Sequence, residues 1–437
     1  MSKEINIFWF RRDLRLDDNV GFYRALQGSG PVMPIFIFDT EILESLPKDD
    51  ARVSFIYENL QKMRKKLQDN WGSSLAIYHG RPKEIFQKLI EENKVQKVFT
   101  NRDYEPYAEQ RDENIQKLLE KNNVAFETFK DQVIFEKGEV VKGDGKPYLV
   151  YTPFMRKWKK VYEADYDLKI YYTNDYLDNL VKNKGLPNLS LDDIGFEKSS
   201  IKVADYDVSP TLVEDYEKTR NIPAIDGTSR LGPHLRFGTV SPRKMLKKGL
   251  QADDDTFMNE LIWREFFMQI LYHFPKTLTD EFKPKYDTIN WRNDEDEFEK
   301  WKTGTTGYPI VDAGMRQLNK TGYMHNRVRM IVGSFLCKHL LIDWRWGEAY
   351  FAEKLLDYEM SSNVGNWQWI AGTGVDAVPY FRIFNPITQL DKFDKNRNYV
   401  EEYVPEFGTD DYPEKMVEHK MARERCLETY KAAVKKS

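Results

Sequence analysis

The sequence predicts an α/β N-terminal domain built on a parallel sheet, followed by an all-α C-terminal domain. Three observations carry that expectation. Short apolar runs alternate with amphipathic stretches through the first 130 residues. No period is sustained between about residues 136 and 200. After Ser209 helical spacing dominates and no strand alternation competes with it. A chain of 437 residues is also too long for one ordinary core. The expected divisions are 1–130 for the sheet domain, 131–208 for a connector and 209–437 for the helical domain.

Strand-like runs fall at 5–10, 32–38, 75–78, 98–99 and 125–129. Amphipathic stretches at 51–68, 82–92 and 108–121 separate them. In the first of these, Val53, Ile56, Tyr57, Leu60, Met63 and Leu67 recur at helical spacing. Short apolar strands alternating with helices predict a Rossmann-like parallel sheet covered on both faces. The connector mixes Gly, Lys, Pro and Tyr, as in Lys142-Gly-Asp-Gly-Lys-Pro, and carries one short helix near 152–162. A connector of this length is expected to pack on the domains it joins. Beyond it, helices are expected at 256–274, 310–319, 327–341, 350–356 and 416–433.

Composition excludes several classes. With 41% hydrophobic and 31% charged residues the chain is neither disordered nor a membrane protein. No apolar run reaches the roughly 18–20 residues needed to span a bilayer. The N-terminus enters a strand-like segment without a secretory apolar region. Cys337 and Cys426 are the two cysteines, too few for a disulfide framework or a thiolate metal cluster. His325 and His339 have no carboxylate or Cys at ligand spacing, so no metal is expected. A cytoplasmic protein is the expectation. Aromatic residues make up 14% of the chain, and Trp263, Trp291, Trp301, Trp344, Trp346, Trp367 and Trp369 are seven of its 10 tryptophans. That bias fits either a large aromatic core or a site that stacks flat rings.

Four segments carry chemistry. Asp226-Gly-Thr-Ser-Arg-Leu-Gly-Pro joins a turn, a helix-capping hydroxyl and a cation, the makings of an anion site. In Asn259-Glu-Leu-Ile-Trp-Arg-Glu, Glu260, Trp263 and Arg264 share one helical face, a carboxylate beside a flat ring and a cation. In Tyr323-Met-His-Asn-Arg-Val-Arg-Met, Asn326, Arg329 and Met330 share a face and Arg327 points elsewhere, free for a phosphate. The run from Leu356 to Trp369 is too polar for a core segment and is read as irregular, with Trp367 and Trp369 facing different ways.

Together these segments resemble the photolyase/cryptochrome flavoproteins, and closely the class I DNA photolyases that repair cyclobutane pyrimidine dimers. The resemblance runs in order from about residue 5 to about residue 433. It rests on Trp9-Phe-Arg-Arg-Asp-Leu-Arg-Leu, Asp226-Gly-Thr-Ser-Arg-Leu, Glu260-Leu-Ile-Trp-Arg-Glu-Phe, Thr306-Gly-Tyr-Pro-Ile-Val-Asp-Ala-Gly-Met-Arg-Gln-Leu, Met324-His-Asn-Arg-Val-Arg-Met, Leu341-Ile-Asp-Trp-Arg, Asn366-Trp-Gln-Trp and Tyr380-Phe-Arg-Ile-Phe-Asn-Pro. It implies an antenna domain, a helical domain holding FAD, and light-driven splitting of a flipped-out dimer by an electron from reduced FAD.

Position by position, the resemblance assigns Thr228, Ser229, Arg230, Leu231 and Gly232, with Tyr216 nearby, to the FAD phosphates, and Phe257 to the adenine. Gly232 replaces a serine common in the family, and Phe257 a frequent Trp. Arg264, Arg329, Asp357, Glu359 and Asn363 are assigned to the flavin, with Arg329 and Asp357 as an ion pair and Asn363 beside N5. The lesion pocket is assigned Glu260, Trp263, Asn326, Met330 and Trp369, with Glu260 and Asn326 also reaching the cofactor. Trp291, Trp344 and Trp367 match the electron-carrying chain to oxidised FAD, while Trp158, Trp301 and Trp346 are left as packing.

Arg220, Arg327 and Arg382 match phosphate-contacting positions, so a basic rim offsets the net charge of −4. UV-damaged DNA is then the partner, and a monomer without an obligate protein partner is expected. For the antenna, Tyr107 and Ala108 stand where a folate site has a carboxylate and an amide, whereas Arg52, Asp103, Glu105 and Arg236 match a deazaflavin pattern. An 8-hydroxy-deazaflavin is therefore expected, with FMN, folate or an empty site as alternatives. A (6–4) photolyase is disfavoured because Asn326 and Met330 stand where that activity has paired histidines. A cryptochrome photoreceptor is disfavoured by Asn363 and by the lack of a long tail after the last helix. A nicotinamide-dependent reading lacks a Gly-x-Gly-x-x-Gly fingerprint.

Overall fold

The computed structural model describes residues 4–165 and 168–436. They fall into two compact units. The first takes the described residues within 1–136, 162–206 and 231–248, and the second those within 137–161, 207–230 and 249–437.

In the first unit β1 (Glu4–Phe10), β2 (Val32–Asp39), β3 (Ala76–Gly80), β4 (Lys94–Asn101) and β5 (Ala125–Phe129) form one sheet. All neighbours are parallel, in the order β3-β2-β1-β4-β5. The crossovers carry α1 (Val20–Gln27), α2 (Ala51–Trp71), α3 (Pro82–Glu92) and α4 (Pro106–Lys121). Alternate residues of β1 enter two cores. Phe8 and Phe10 pack with Phe22, Phe36 and Leu60, and Ile7 and Trp9 with Ile35, Phe86 and Leu119. Burial on both faces is why the strands read as unbroken apolar runs. The expected sheet is present. Helix α1 lies between expected elements and is capped by the Asn19 side chain, which accepts from the Phe22 N–H.

A buried ionic cluster sits beyond the strand ends. Arg15 Nη2 lies 2.6 Å from Asp131 Oδ2, Arg243 Nη2 2.9 Å from Asp131 Oδ1, and Arg243 Nε 3.1 Å from Asp18 Oδ1. All four side chains are buried. Burial alone would push the Asp131 carboxyl up, but Arg15 and Arg243 hold it below the ordinary range.

The second unit is helical. It contains residues 151–161 of α5 (Tyr151–Asp165), then α6 (Thr256–His273), α7 (Pro309–Thr321), α8 (Asn326–Ser334), α9 (Trp344–Lys354), α10 (Met360–Ala371) and α11 (His419–Lys436). Its main core gathers Trp301, Tyr308, Val332, Phe335, Trp344 and Trp367. Helix α8 runs into a wider turn over Phe335–Leu340, which breaks the single helix expected at 327–341.

The structure differs from the expected divisions and from one local expectation. The connector 131–208 is not one body. Tyr151, Phe154 and Trp158 pack on α6, with the Trp158 Nε1–H donating to Glu265 at 2.6 Å. Leu177, Leu180, Ile194 and Phe196 instead join the sheet core. Residues 231–248, expected in the helical domain, likewise group with the sheet. The polar run from Leu356 to Trp369 is also not irregular throughout, because most of it is α10. Its polar residues line a cavity, so burial does not demand an apolar sequence there. Helix α10 lies very close to its neighbours. A Cβ on Gly365 would stand 2.2 Å from the Phe267 ring, and one on Gly347 of α9 would stand 2.2 Å from the Trp367 ring.

Asp131→Ala should cost about 3–5 kcal/mol, because it takes the carboxylate partner from buried Arg15 and one of two from buried Arg243; urea unfolding measures it. The carboxylate's contribution is present above its unfolded value of about 3.9 and is lost as pH falls through its lower folded value. Acid unfolding of the variant should therefore lack that component.

Candidate active site

Helices α6, α8 and α10 and the loop before α10 line a cavity of about 330 Å³ in the helical unit. Glu260, Trp263 and Arg264 reach it from α6, and Asn326, Arg329 and Met330 from α8. Asp357 and Glu359 come from the loop, and Asn363, Trp367 and Trp369 from α10. The i, i+3, i+4 faces read from the sequence are thus the faces that meet. Trp367 and Trp369, two residues apart on a helix, approach the cavity from different sides of α10.

The charges are paired. Arg329 Nη2 lies 2.8 Å from Asp357 Oδ2, and Arg264 Nη2 lies 3.9 Å from Glu359 Oε2. Asp357 Oδ1 is buried and has no hydrogen-bond partner among the described residues. The Asn363 Nδ2 donates to the Glu348 backbone oxygen at 3.0 Å and to Glu348 Oε1 at 2.8 Å. Burial pushes the Glu348 carboxyl up, and the Asn363 bond opposes this. His325 caps α8 by accepting from the Arg327 N–H at 3.1 Å. Burial and the guanidiniums of Arg329, Arg327 and Arg220 push its imidazole down to about 4, so it stays neutral.

Trp263 is held between two rings. Tyr151 stacks on it at 3.5 Å and 6°, and Phe267 lies 5.5 Å away at 25°. Tyr151 sits in the aperiodic connector, and no sequence signal pointed to it. Phe257 is buried with Tyr216 edge-on at 5.4 Å. Burial and the Glu260 charge push the Tyr216 phenol up to about 12. Ser229 is buried, and the Thr228 hydroxyl lies 3.1 Å from the Tyr323 hydroxyl. Arg230 bonds Asp226 at 2.9 Å. Leu231 and Gly232 belong to the sheet unit, so the predicted phosphate segment is divided between the two units.

Trp344 and Trp367 share the main core and Trp291 packs against it. The Trp344 Nε1–H donates to Glu281 at 2.9 Å. Trp301, also in this core, meets Trp367 at 6.2 Å. The three predicted phosphate-contacting arginines differ. Arg382 is exposed. Arg327 is half-buried, its Nη2 donating to Asn221 at 2.6 Å. Arg220 Nη1 lies 2.6 Å from Glu260 Oε1, a partner the sequence did not indicate.

In the sheet unit Arg12 Nη1 lies 3.0 Å from Asp103 and 3.1 Å from Glu105, and Arg236 Nη1 lies 2.6 Å from Glu105. These expected antenna residues are together. Arg52 bonds Asp50, the residue that caps α2. The cleft beside Asp103 holds about 10 Å³. Among the described residues no helix is long and apolar enough to cross a membrane, and no group of three His, Cys, Asp or Glu could hold a metal.

Residues 257–410 match the family model described as the FAD binding domain of DNA photolyase. The fold and the cavity therefore define an FAD-binding protein. Residues 6–169 match the model described as DNA photolyase. A deoxyribodipyrimidine photo-lyase of Agrobacterium fabrum is 37% identical, over 99% of this chain and 98% of its own length. A bacterial class III photolyase from Agrobacterium tumefaciens superposes with a TM-score of 0.89 at 34% identity, covering 100% of this chain and 99% of that one. An archaeal photolyase from Sulfolobus tokodaii, solved with two FAD molecules, superposes at 0.83 with 33% identity, covering 98% and 100%. The chain belongs to the DNA photolyase family.

The cavity residues fit FAD. The pyrimidine edge of a flavin presents carbonyl acceptors and an imide N–H donor. Arg264 and Arg329 supply donors, and the unpartnered Asp357 Oδ1 supplies an acceptor. Asp357→Ala should lower FAD affinity by about 10–100-fold, the usual worth of a hydrogen bond to a charged group. The flavin-to-protein absorbance ratio after gel filtration measures it.

Proposed function

We propose that the protein is a light-dependent DNA repair enzyme that splits cyclobutane pyrimidine dimers. One observation carries this: a single cavity combines flavin-binding charge pairs with two tryptophans and hydrogen-bonding groups suited to a damaged base. Bound, reduced FAD supplies the electron on absorbing blue or near-UV light. The protein's own residues receive and orient the lesion. A dimer stacks poorly in the duplex, so flipping it out costs less than flipping an intact base. Trp263, stiffened by Tyr151, and Trp369 receive its apolar edges. Asn326 and Glu260 bond its carbonyl and imide groups. The pair Arg329–Asp357 orients the flavin ring, and Asn363, fixed by Glu348, stands at its N5 side. Trp291, Trp344 and Trp367 carry an electron from the surface when the flavin is oxidised. The bland alternative for Trp344, a core residue bonded to Glu281, predicts no loss of photoreduction on its replacement.

The antenna this reading supports is an 8-hydroxy-deazaflavin on Arg52, Asp103, Glu105 and Arg236. A chromophore on these residues would compete with Arg12, which holds Asp103 and Glu105. Adding deazaflavin, FMN or folate to the purified protein and reading energy transfer to FAD decides among them. The enzyme acts in the cytoplasm on UV-damaged DNA, as a monomer without an obligate protein partner.

Irradiating DNA that carries a defined thymine dimer with the reduced protein should restore thymine absorbance. No light-dependent recovery would sink the reading, and recovery from a (6–4) lesion alone would replace it. Trp367→Phe should abolish flavin photoreduction and leave repair by chemically reduced protein intact. Glu260→Ala should lower repair yield several-fold and by more than it lowers FAD content.

A further inference from the structure

Arg220 and Glu260 line the cavity, and Arg327 lies near enough to Arg220 to feel its charge. Arg327 is half-buried, and among the described residues none of its partners is charged. Its Nη2 donates to Asn221 at 2.6 Å, its Nη1 lies 3.5 Å from Met330 Sδ, and its guanidinium lies 4.4 Å from the Phe393 ring centroid. Its Nε is buried without a hydrogen-bond partner. Arg220 adds a second cation, and repulsion between the two works with burial against the charge on Arg327. Arg220 holds Glu260 at 2.6 Å, and among the described residues no carboxylate pairs with Arg327. An anion arriving between them would relieve both costs.

The pair Arg220–Glu260 is placed to open. Its side chains keep 21% and 36% of their exposure, so water and a ligand reach both. The Arg220 guanidinium also lies 5.8 Å from the centroid of the Tyr216 ring, a neutral face over which it can slide without desolvation. Tyr151 and Tyr216 feel both Glu260 and Arg220, and His325, Arg327 and Asp254 also feel Arg220. Neither tyrosine competes for the guanidinium as a charge.

We propose that Arg220 is a specificity-determining switch: it holds Glu260 in the free protein and passes to a DNA phosphate when a lesion enters, freeing the Glu260 carboxylate for the imide N–H of the flipped base. The proposal rests on the repair reading above. The exchange moves charges and hydrogen bonds only. Arg220 trades a carboxylate for a phosphate, and Glu260 trades a guanidinium for an imide N–H. On undamaged duplex, where no base is flipped, the second half of the trade has no partner, and the ion pair resists the phosphate. The same contact that blunts binding to intact DNA is therefore replaced, not lost, on damaged DNA. Discrimination then comes from a ground-state pair that only the lesion can replace.

The test is a double-mutant cycle on the FAD-loaded protein in the dark, using anisotropy with undamaged and dimer-containing duplexes. Glu260→Gln should bind undamaged duplex about tenfold more tightly, since Arg220 is released, and dimer duplex several-fold more weakly. In an Arg220→Met background the same substitution should no longer tighten undamaged binding, and the salt slope should fall by about one. Arg220→Lys should restore part of the tightening, and it serves if the Met variant does not fold. Unchanged undamaged binding in Glu260→Gln overturns the proposal. So does equal tightening in the Arg220→Met background, which would be simple removal of a negative charge. If the wild type neither prefers nor repairs the dimer, the repair reading fails, while the cycle on undamaged DNA still reads the exchange.

Discussion

The cavity exists because α10 lies against its neighbours at glycines. At Gly365 and Gly347 even a methyl group would run into Phe267 or Trp367. Backbones that approach this closely bring Asn363, Trp367 and Trp369 up to the residues that α6 and α8 present. The Trp367 ring fills the space that Gly347 leaves, so one contact both packs the core and places a site residue. Overpacking at such a point would shift the helix, and with it every side chain it carries.

Charge placement follows from that packing. Asp357 and Glu359 sit just before α10 and face Arg329 and Arg264 across the cavity. Removing Arg329 or Asp357 takes the opposite charge from a partly buried partner, which is costly in a low-dielectric site. The pairs therefore hold the cavity open in a polar form that an apolar core would collapse, and they leave Asp357 Oδ1 to be satisfied by a ligand. The guanidiniums around His325 keep its ring neutral, which suits its role as an acceptor at the start of α8.

The sheet unit shows a different use of charge. Arg15, Arg243, Asp18 and Asp131 are fully enclosed and matched, and they tie segments distant in sequence into one unit. Arg12 does the same for Asp103 and Glu105 near the surface. Residues matched to a chromophore site by pattern are thus also a self-satisfied ion network, and the pattern cannot separate these two uses.

Much of this was legible in the chain itself. Strand periods, the helical faces of Glu260, Trp263 and Arg264 and of Asn326, Arg329 and Met330, and the order of the motifs were enough for the fold class and most of the cavity lining. These are local properties, set by 2.0- and 3.6-residue periods within one element. Partners from distant segments were not legible. Tyr151 on Trp263, Arg220 on Glu260 and Glu348 on Asn363 join segments with no shared period. Helix α10 was hidden for the same reason, since a helix whose exposed face lines a polar cavity lacks the apolar stripe that marks a surface helix. The tertiary structure alone decided that the chain's middle segments split between two units. That division depends on which core each apolar side chain enters, and core membership is a property of the folded contacts rather than of any one stretch of sequence.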